Sequence, residues 1–556
     1  MAFSIKHSDY KSLQFPELVP VEFNQIDVDR MMTTIIEMTL RQGRTMKSKT
    51  ETQDFDRYLQ NLVESAYVGG LNSSERQKVL DGWLRSTVVK MGKMGRNRIE
   101  GQMDFIRPLT IGIYRAGLPR TLNRNRKADV LVYSAILSEG LRRNEGKTAG
   151  VRKGISELVR NSLGKEINLG AGPLDLPEYD GVSPIDMSAL LTMRFLSGFE
   201  EMTTLNPEKV TDEGAEGPTP GATAGIGKDF FGLLDAYGSA LSAQETIEHI
   251  AALVSLRLFQ FPLRVAIATK NLLDTGDLSG DFIDPDTVNP LSIYCDFTRS
   301  SGSASFELSK LSVQNDLGLL RSFFGDRLIL RSLVKALDFI EDIQDELRKS
   351  GPVKRMKLAA GLKNSSEMQK ELNRQTQEIY LDLEKDGEGQ KFIDSLRNIK
   401  DVEGNPLSPD LVLKNVLFEG LRRRGLEMQV LWYWSTGGIN KSYGLLQGSF
   451  KNRSSWRYSP SDELLTALLL TCFTSEFGRV TDNELEMGEL ISRLKIRYGI
   501  YITDPPPFAV GSAIAGQACS QNRAAFVSKL QLLGCFENLS DDFSAQLVRR
   551  PRKASV

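Results

Sequence analysis

The chain has 556 residues, several times the length of a typical domain, and 40% of them are hydrophobic and 25% charged. That balance excludes a disordered chain and a membrane protein alike. Only two histidines, His7 and His249, and four cysteines, Cys295, Cys472, Cys519 and Cys535, are available. They are too few for a zinc finger, a multi-histidine zinc enzyme or a two-histidine iron site, so neither a metal nor another cofactor is expected.

Residues 1–29 show no cationic patch followed by an apolar core, so no signal peptide is expected. The widely spaced cysteines form no disulfide framework and read as small buried residues of a cytoplasmic protein. Apolar residues recur at helical spacing over 29–42 and again over 55–68. From Arg85 to Lys165 there are 18 Lys/Arg against six acids, and from Glu166 to Ile250 there are 15 acids against three bases. The overall net charge of -1 therefore hides two segments of opposite sign. A basic face for nucleic acid, or docking of one segment on the other, follows from that asymmetry.

Asn206 to Lys228 is rich in Gly, Pro, Thr and acids and has no apolar period, so it reads as a linker or mobile loop. Helices are predicted at 230–237 and 243–261. The apolar run 251–268, broken by Arg257, Pro262 and Arg264, reads as a buried helix or helix pair and not a membrane span. A short strand is predicted at 291–298, and amphipathic helices at 328–349 and 368–383. In the last third, Ser459-Pro460 opens a helix over 464–473, and Thr481 to Glu484 has capping-box form for a helix ending at Gly499. A third helix covers 522–533, and residues 535–539 and 544–548 pair as a hairpin. Helix, helix, turn, helix, hairpin is the order of a winged helix.

The search for chemistry returns mostly exclusions. Gly146-Lys147-Thr148 and Gly227-Lys228 both lack the leading glycine of a phosphate loop. Asp129 with Glu145 and Lys147 has the residue types of a two-metal nuclease, but its setting is a charged turn after a helix. Ser162 to Lys165 is a short Ser-x-x-Lys string of a kind common by chance. Asp281, Asp284 and Asp286 lack the glycine and terminal glutamate of a calcium loop. His249, on an apolar helix, reads as a hydrogen-bonded core residue.

Leu421 to Tyr458 interleaves arginines and lysines with aromatic rings, a combination suited to phosphates and unstacked bases. The bland alternative puts Trp432 and Trp434 in the core on alternate strand positions and leaves Arg422 to Arg424 to cap a helix end. The expected nucleic-acid contacts are Arg96, Arg98, Arg120, Arg124, Arg126 and Lys127 in the basic segment. To these are added Arg422, Arg423, Arg424, Lys451, Arg453, Trp456 and Arg457, then Asn522, Arg523, Lys529, Arg549 and Arg550 on and after the third helix.

The runs Trp456-Arg457-Tyr458-Ser459-Pro460, Leu494-Lys495-Ile496-Arg497-Tyr498-Gly499 and Asn522-Arg523-Ala524-Ala525-Phe526, with Leu539-Ser540-Asp541-Asp542 and a central Ile293-Tyr294-Cys295-Asp296-Phe297, carry a resemblance. About half the chain resembles accessory proteins of bacterial phage-defence islands, specifically a component of methylation-associated defence systems. The resemblance implies a cytoplasmic subunit of a multigene anti-phage system whose enzymatic activities belong to other subunits, and it transfers no catalytic residue.

The expectation is a mainly α, multidomain protein with minor β and a C-terminal winged-helix-like domain. Its divisions are 1–205, the linker 206–228, 229–400 and 401–556. It binds DNA, partner subunits, or both, without catalysis of its own. The alternatives are an assembly scaffold without nucleic-acid binding and a cryptic metal-dependent nuclease.

Overall fold

The computed structural model describes residues 15–48, 73–91, 103–106, 125–164, 203–210, 219–385, 403–474, 483–536 and 546–551, with isolated positions between them. The predicted helix at 55–68 lies almost wholly outside these residues, as do Arg96, Arg98, Arg120 and Arg124.

Helix α1 (Val28–Leu40) buries Met31, Ile35 and Met38, the periodic positions, and is followed by β1 (Arg44–Ser48). Helix α2 (Ser74–Trp83), capped by the Ser73 hydroxyl, leads through one π-helical turn to β2 (Val89–Met91), which pairs with β3 (Met103–Ile106). Helices α3 (Ala128–Arg143) and α4 (Val151–Leu163) pack on α1, and β4 (Thr203–Val210) runs antiparallel to β1.

Pro220 to Lys228, expected as linker, instead begins helix α5 (Pro220–Tyr237), with Pro220 in the first turn. Its glycines explain the misreading. A Cβ on Gly227 would lie 2.6 Å from the Ala135 carbonyl, and one on Gly225 would lie 2.6 Å from the Arg257 guanidinium carbon. Small residues lack an apolar signature, yet here smallness is what lets α5 pack closely on α3 and α6. The Gly227-Lys228 pair therefore sits inside a packed helix and forms no phosphate loop.

Helix α6 (Ala243–Thr275) begins at a complete Ser242–Glu245 capping box and stops at Gly276, whose φ of 77° is left-handed. It is one helix and not a pair, and it runs through Pro262. Proline cannot supply the N–H that the Leu258 carbonyl would accept. The indole Nε1 of Trp432 donates to that carbonyl instead, at 2.9 Å. By length and composition α6 could cross a membrane, but 94% of its most apolar window is buried inside the protein.

A short helix α7 (Gly280–Ile283) and strand β5 (Ile293–Tyr294) lead to α8 (Ala304–Ala336), capped by Ser303. The predicted helix 328–349 is interrupted by two 3-10 turns before α9 (Gln344–Arg348). Leu330, Leu333, Leu337 and Ile340 are buried as their spacing requires. The break has a local cause, because the Gln344 side chain donates to the carbonyls of Leu337 and Ile340 and offers them partners outside a helix.

Helices α10 (Pro352–Gly361), α11 (Ser366–Lys385) and α12 (Pro409–Thr436) complete the helical layers around α8. Trp432 and Trp434 thus lie on a helix, not on a strand. The hairpin β6 (Leu446–Ser449) and β7 (Asn452–Tyr458) follows, then α13 (Asp462–Cys472), whose N-cap is Ser461 and not Ser459. Where a capping box was expected, β8 (Glu484–Glu486) precedes α14 (Met487–Tyr498). Pairing with the chain's end wins there over local capping, since β8 lies antiparallel to β10.

Strand β9 (Ile500–Tyr501) runs parallel to β5, helix α15 (Ala513–Leu532) starts nine residues earlier than expected, and β10 (Leu547–Arg549) closes the chain's described part. Val548 also bridges Phe536 antiparallel, so β10 lies between β8 and Phe536. The architecture is mainly helical with two-stranded ribbons, and among the described residues the main apolar cluster runs from Phe15 to Val548. All four cysteines are buried and form no disulfide, three in this cluster and Cys519 in a smaller one with Tyr294 and Leu308.

Candidate nucleic-acid interface

Along β7, side chains alternate. Trp456 and Tyr458 point inward and are buried, while Arg453, Ser455 and Arg457 take the outer face, with Lys451 exposed at the hairpin tip. Trp456 is therefore not available for base stacking. Its indole donates to the Ser449 carbonyl at 2.9 Å, and its ring stacks on Tyr433 at 6.1 Å. Arg453 pairs with Glu427 at 2.8 Å. Arg457 lies over the Phe306 ring at 4.7 Å and forms no ion pair among the described residues. Burial lowers its pKa, Asp296 opposes that, and Arg299 adds to it.

Beside Arg457, two further cations meet. Asp462, in the first turn of α13, accepts from Arg299 at 3.1 Å and from Lys529 of α15 at 2.5 Å. Burial alone would raise the Asp462 carboxyl, but these two partners outweigh it and hold the pKa low. Arg299 was missed in the sequence. It is placed by a turn in which the buried Asp296 carboxylate accepts from the backbone N–H groups of Thr298 and Arg299, with Arg299 at φ 54°. An Asp-x-Thr-Arg turn is the signal that could have found it.

The remaining expected contacts are scattered. Asn522 is fully buried and is a positioning residue. Its amide donates to the Cys295 and Ile502 carbonyls at 2.8 and 2.9 Å and accepts from Phe297 N–H at 2.7 Å. Arg523 is exposed on α15. Arg549 pairs with Glu484, and Arg550 turns inward over Tyr237. Arg422 pairs with Glu419, and the side chains of Arg423 and Arg424 lie outside the described residues. In the basic segment Arg126 pairs with Glu22 at 2.8 Å, and Lys127 is exposed, both with left-handed φ at the start of α3.

The nuclease alternative fails on geometry. Asp129 is buried at the start of α3, accepting from the Asn125 side chain at 3.0 Å and from Val130 N–H. Glu145 and Lys147 pair with each other in an exposed turn past the other end of that helix, about 24 Å away at 1.5 Å per residue. The Asp281, Asp284, Asp286 loop is likewise occupied. Asp281 pairs with buried Arg264, Asp286 with Lys228, and Asp284 accepts from Asp286 N–H. Among the described residues no group of three or more His, Cys, Asp or Glu could hold a metal ion.

Two buried polar networks position the hairpin and the C-terminal elements. In the first, Asp229 of α5 accepts from Arg257 Nε at 2.7 Å, Arg497 Nε at 3.0 Å and the Tyr498 hydroxyl at 3.0 Å. Burial alone would raise the Asp229 pKa, but the two guanidiniums outweigh it and hold the carboxyl below the usual range. In the second, the Tyr458 hydroxyl of β7 donates to Asp316 of α8 at 2.5 Å and shares a 2.6 Å hydrogen bond with Tyr433 of α12.

No cation offsets the burial of Asp316, which pushes its pKa up to about 7 against the hydrogen bonds from Tyr458 and Asn315. Because the folded state then binds a proton that the unfolded state releases, this group's stabilisation is complete below pH 4 and is lost as pH rises toward 7. Asp316→Asn, which keeps the acceptor, is expected to flatten the stability profile between pH 4 and 8 by about 3 kcal/mol. Denaturant midpoints across that range measure it, and an unchanged slope in the variant would refute the assignment.

Comparison with curated proteins gives no match. A family model described as methylation-associated defense system protein MAD7 matches residues 8–552, nearly the whole chain, in agreement with the resemblance carried by the C-terminal runs. With mainly helical architecture and family match together, the chain belongs to the methylation-associated defense system protein MAD7 family, a component of a defence system.

Proposed function

We propose that this protein is a non-catalytic cytoplasmic component of its defence system that holds nucleic acid, alongside partner subunits, against the outer face of the β6–β7 hairpin. The observation that carries this reading is the cation group at Asp462. Arg299 and Lys529 share one carboxylate, and Arg457 beside them has no acidic partner within ion-pair distance among the described residues. Arg453 and Arg457 lie about 13 Å apart on one strand face, which lets them follow a phosphate backbone and read no bases.

The same reading treats α13, α14 and α15 with β8, Phe536 and β10 as a winged-helix-like unit. It is supported by the succession α13, β8, α14, β9, α15, β10 and by β10 lying between β8 and Phe536. Non-catalytic action is supported by where the carboxylates lie: those with nuclease or calcium-loop spacing serve caps and ion pairs.

Duplex and single-stranded DNA titrations from 25 to 300 mM salt test this. Lys451→Glu with Arg453→Glu and Arg457→Gln is expected to weaken binding at least tenfold and to reduce the salt slope by about 2 to 3. No binding by the wild-type chain at 25 mM salt would sink it.

A second reading, the assembly scaffold, is favoured by one contact between the basic and acidic segments. Arg143 of α3 pairs with Asp235 of α5 at 2.6 Å and lies over Phe231 at 4.4 Å. That pair joins α3 to α5 and so supports docking of the basic segment on the acidic one.

A further inference from the structure

Most buried charges in this protein have a stated partner, and α8 holds an exception. Arg327 is 6% exposed, and its guanidinium lies over three phenyl rings, those of Phe23, Phe323 and Phe324, at 5.4, 5.9 and 5.9 Å. No hydrogen bond or ion pair reaches it from the described residues, and its Nε is sealed from solvent without a partner. One turn further along the same face, Arg331 repeats the pattern with a sealed, unpartnered Nη1. The exposed Glu17 carboxylate is the acid that acts on Arg331, and it does so from beyond ion-pair distance.

Rings attract a guanidinium far more weakly than it costs to strip a cation of water. Burial accordingly pushes the Arg327 pKa down to about 10, with Arg331 adding to the effect. The pair sits where the 15–23 segment runs beside α8, and Arg331 is only half-buried, so the pair reaches the surface at its side chain. Two planar forks four residues apart on a helix face lie about 6 Å apart at their Cβ atoms, close enough to grip one tetrahedral anion.

We infer that Arg327 and Arg331 form an oxyanion site on α8 that takes a phosphate group, with the ring cage of Phe23, Phe323 and Phe324 fixing the deeper guanidinium. Charge selects phosphate over a carboxylate. Two cations opposed by one distant acid among the described residues match a group carrying nearly two negative charges, whereas a carboxylate brings one. The site lies outside the β6–β7 face and stands whether or not that face binds nucleic acid.

Isothermal titration of the full chain with inorganic phosphate, at ionic strength fixed with chloride, tests the inference, and acetate is the carboxylate arm. Expected is one phosphate per chain, with acetate binding at least tenfold more weakly. Arg331→Gln is expected to weaken phosphate binding at least tenfold. Arg321→Gln, on the same helix but stacked on Phe418 outside the pair, should leave binding unchanged. Should Arg331→Gln lose its helical circular dichroism, Arg331→Lys is the variant to read, since it keeps the charge without the fork and should bind several-fold more weakly. Absence of saturable phosphate binding up to about 10 mM, or equal affinity in the folded Arg331 variant, would overturn it.

Discussion

Asp229→Ala is expected to destabilise the protein by about 4 kcal/mol, the largest effect of any single substitution considered, because it strands two guanidiniums inside the fold. Arg257 is 4% exposed, and its remaining contacts, to Gln260 and the Arg497 carbonyl, carry no negative charge. The loss reaches beyond the ion pair. Arg257 and Gln260 of α6 hold the Arg497 and Tyr498 carbonyls at the end of α14, and Arg497 reaches the Thr471 carbonyl at the end of α13. One carboxylate on α5 thus fixes where three other helices meet.

Asp229→Asn, which keeps an acceptor but not the charge, should fall between the wild type and alanine. Since the Asp229 pKa is lowered in the fold, its contribution is present above the ordinary carboxyl range and is lost as pH falls through the lowered value. Unfolding in denaturant followed by tryptophan fluorescence measures all three proteins. An alanine variant within 1 kcal/mol of the wild type would show that the two arginines find water or other partners.

Asn522→Leu is the second large effect expected, at about 3 kcal/mol, through two carbonyls and one N–H left buried and unsatisfied. Those groups belong to the chain around β5 and just after β9, so the substitution should loosen α15 from that parallel pair before the rest of the fold opens. Hydrogen exchange resolves this, with α15 amides losing protection while those of α6 keep theirs. Equal protection of α15 in variant and wild type would refute the latch. The residue had the polarity of a base-reading side chain, and only its surroundings reveal that it reads backbone.

That case shows what the sequence could and could not convey. The periodic helices α1, α11 and α14 were legible because an apolar stripe answers to a single neighbour face, whichever face that is. Residues 230–237 of α5 were legible too, but its first half was not, since Gly221, Gly225 and Gly227 are specified by the closeness of Asp281, Arg257 and Glu139, which no local window contains. Strand β8 was hidden for a similar reason: its partner lies about 60 residues away, and nearby residues mimic a cap. Of the candidate interface, the hairpin cations Lys451, Arg453 and Arg457 were legible as a basic run. Arg299 and the meeting at Asp462 were not, because a left-handed turn and two distant helices bring them together. The opposite charges of the two N-terminal segments were legible too, and Arg143 with Asp235 shows one way they are spent.

Pro262 gives α6 a further property. A regular helix presents a surface on which a neighbour can slide by a residue at little cost, because its polar groups face inward to one another. By leaving the Leu258 carbonyl open to the Trp432 indole, the proline turns one point of that smooth surface into a keyhole. Helix α6 and the helix leading into the β6–β7 hairpin are thereby held at one mutual height. A force applied at the hairpin is therefore delivered toward the middle of the core and not absorbed as slippage.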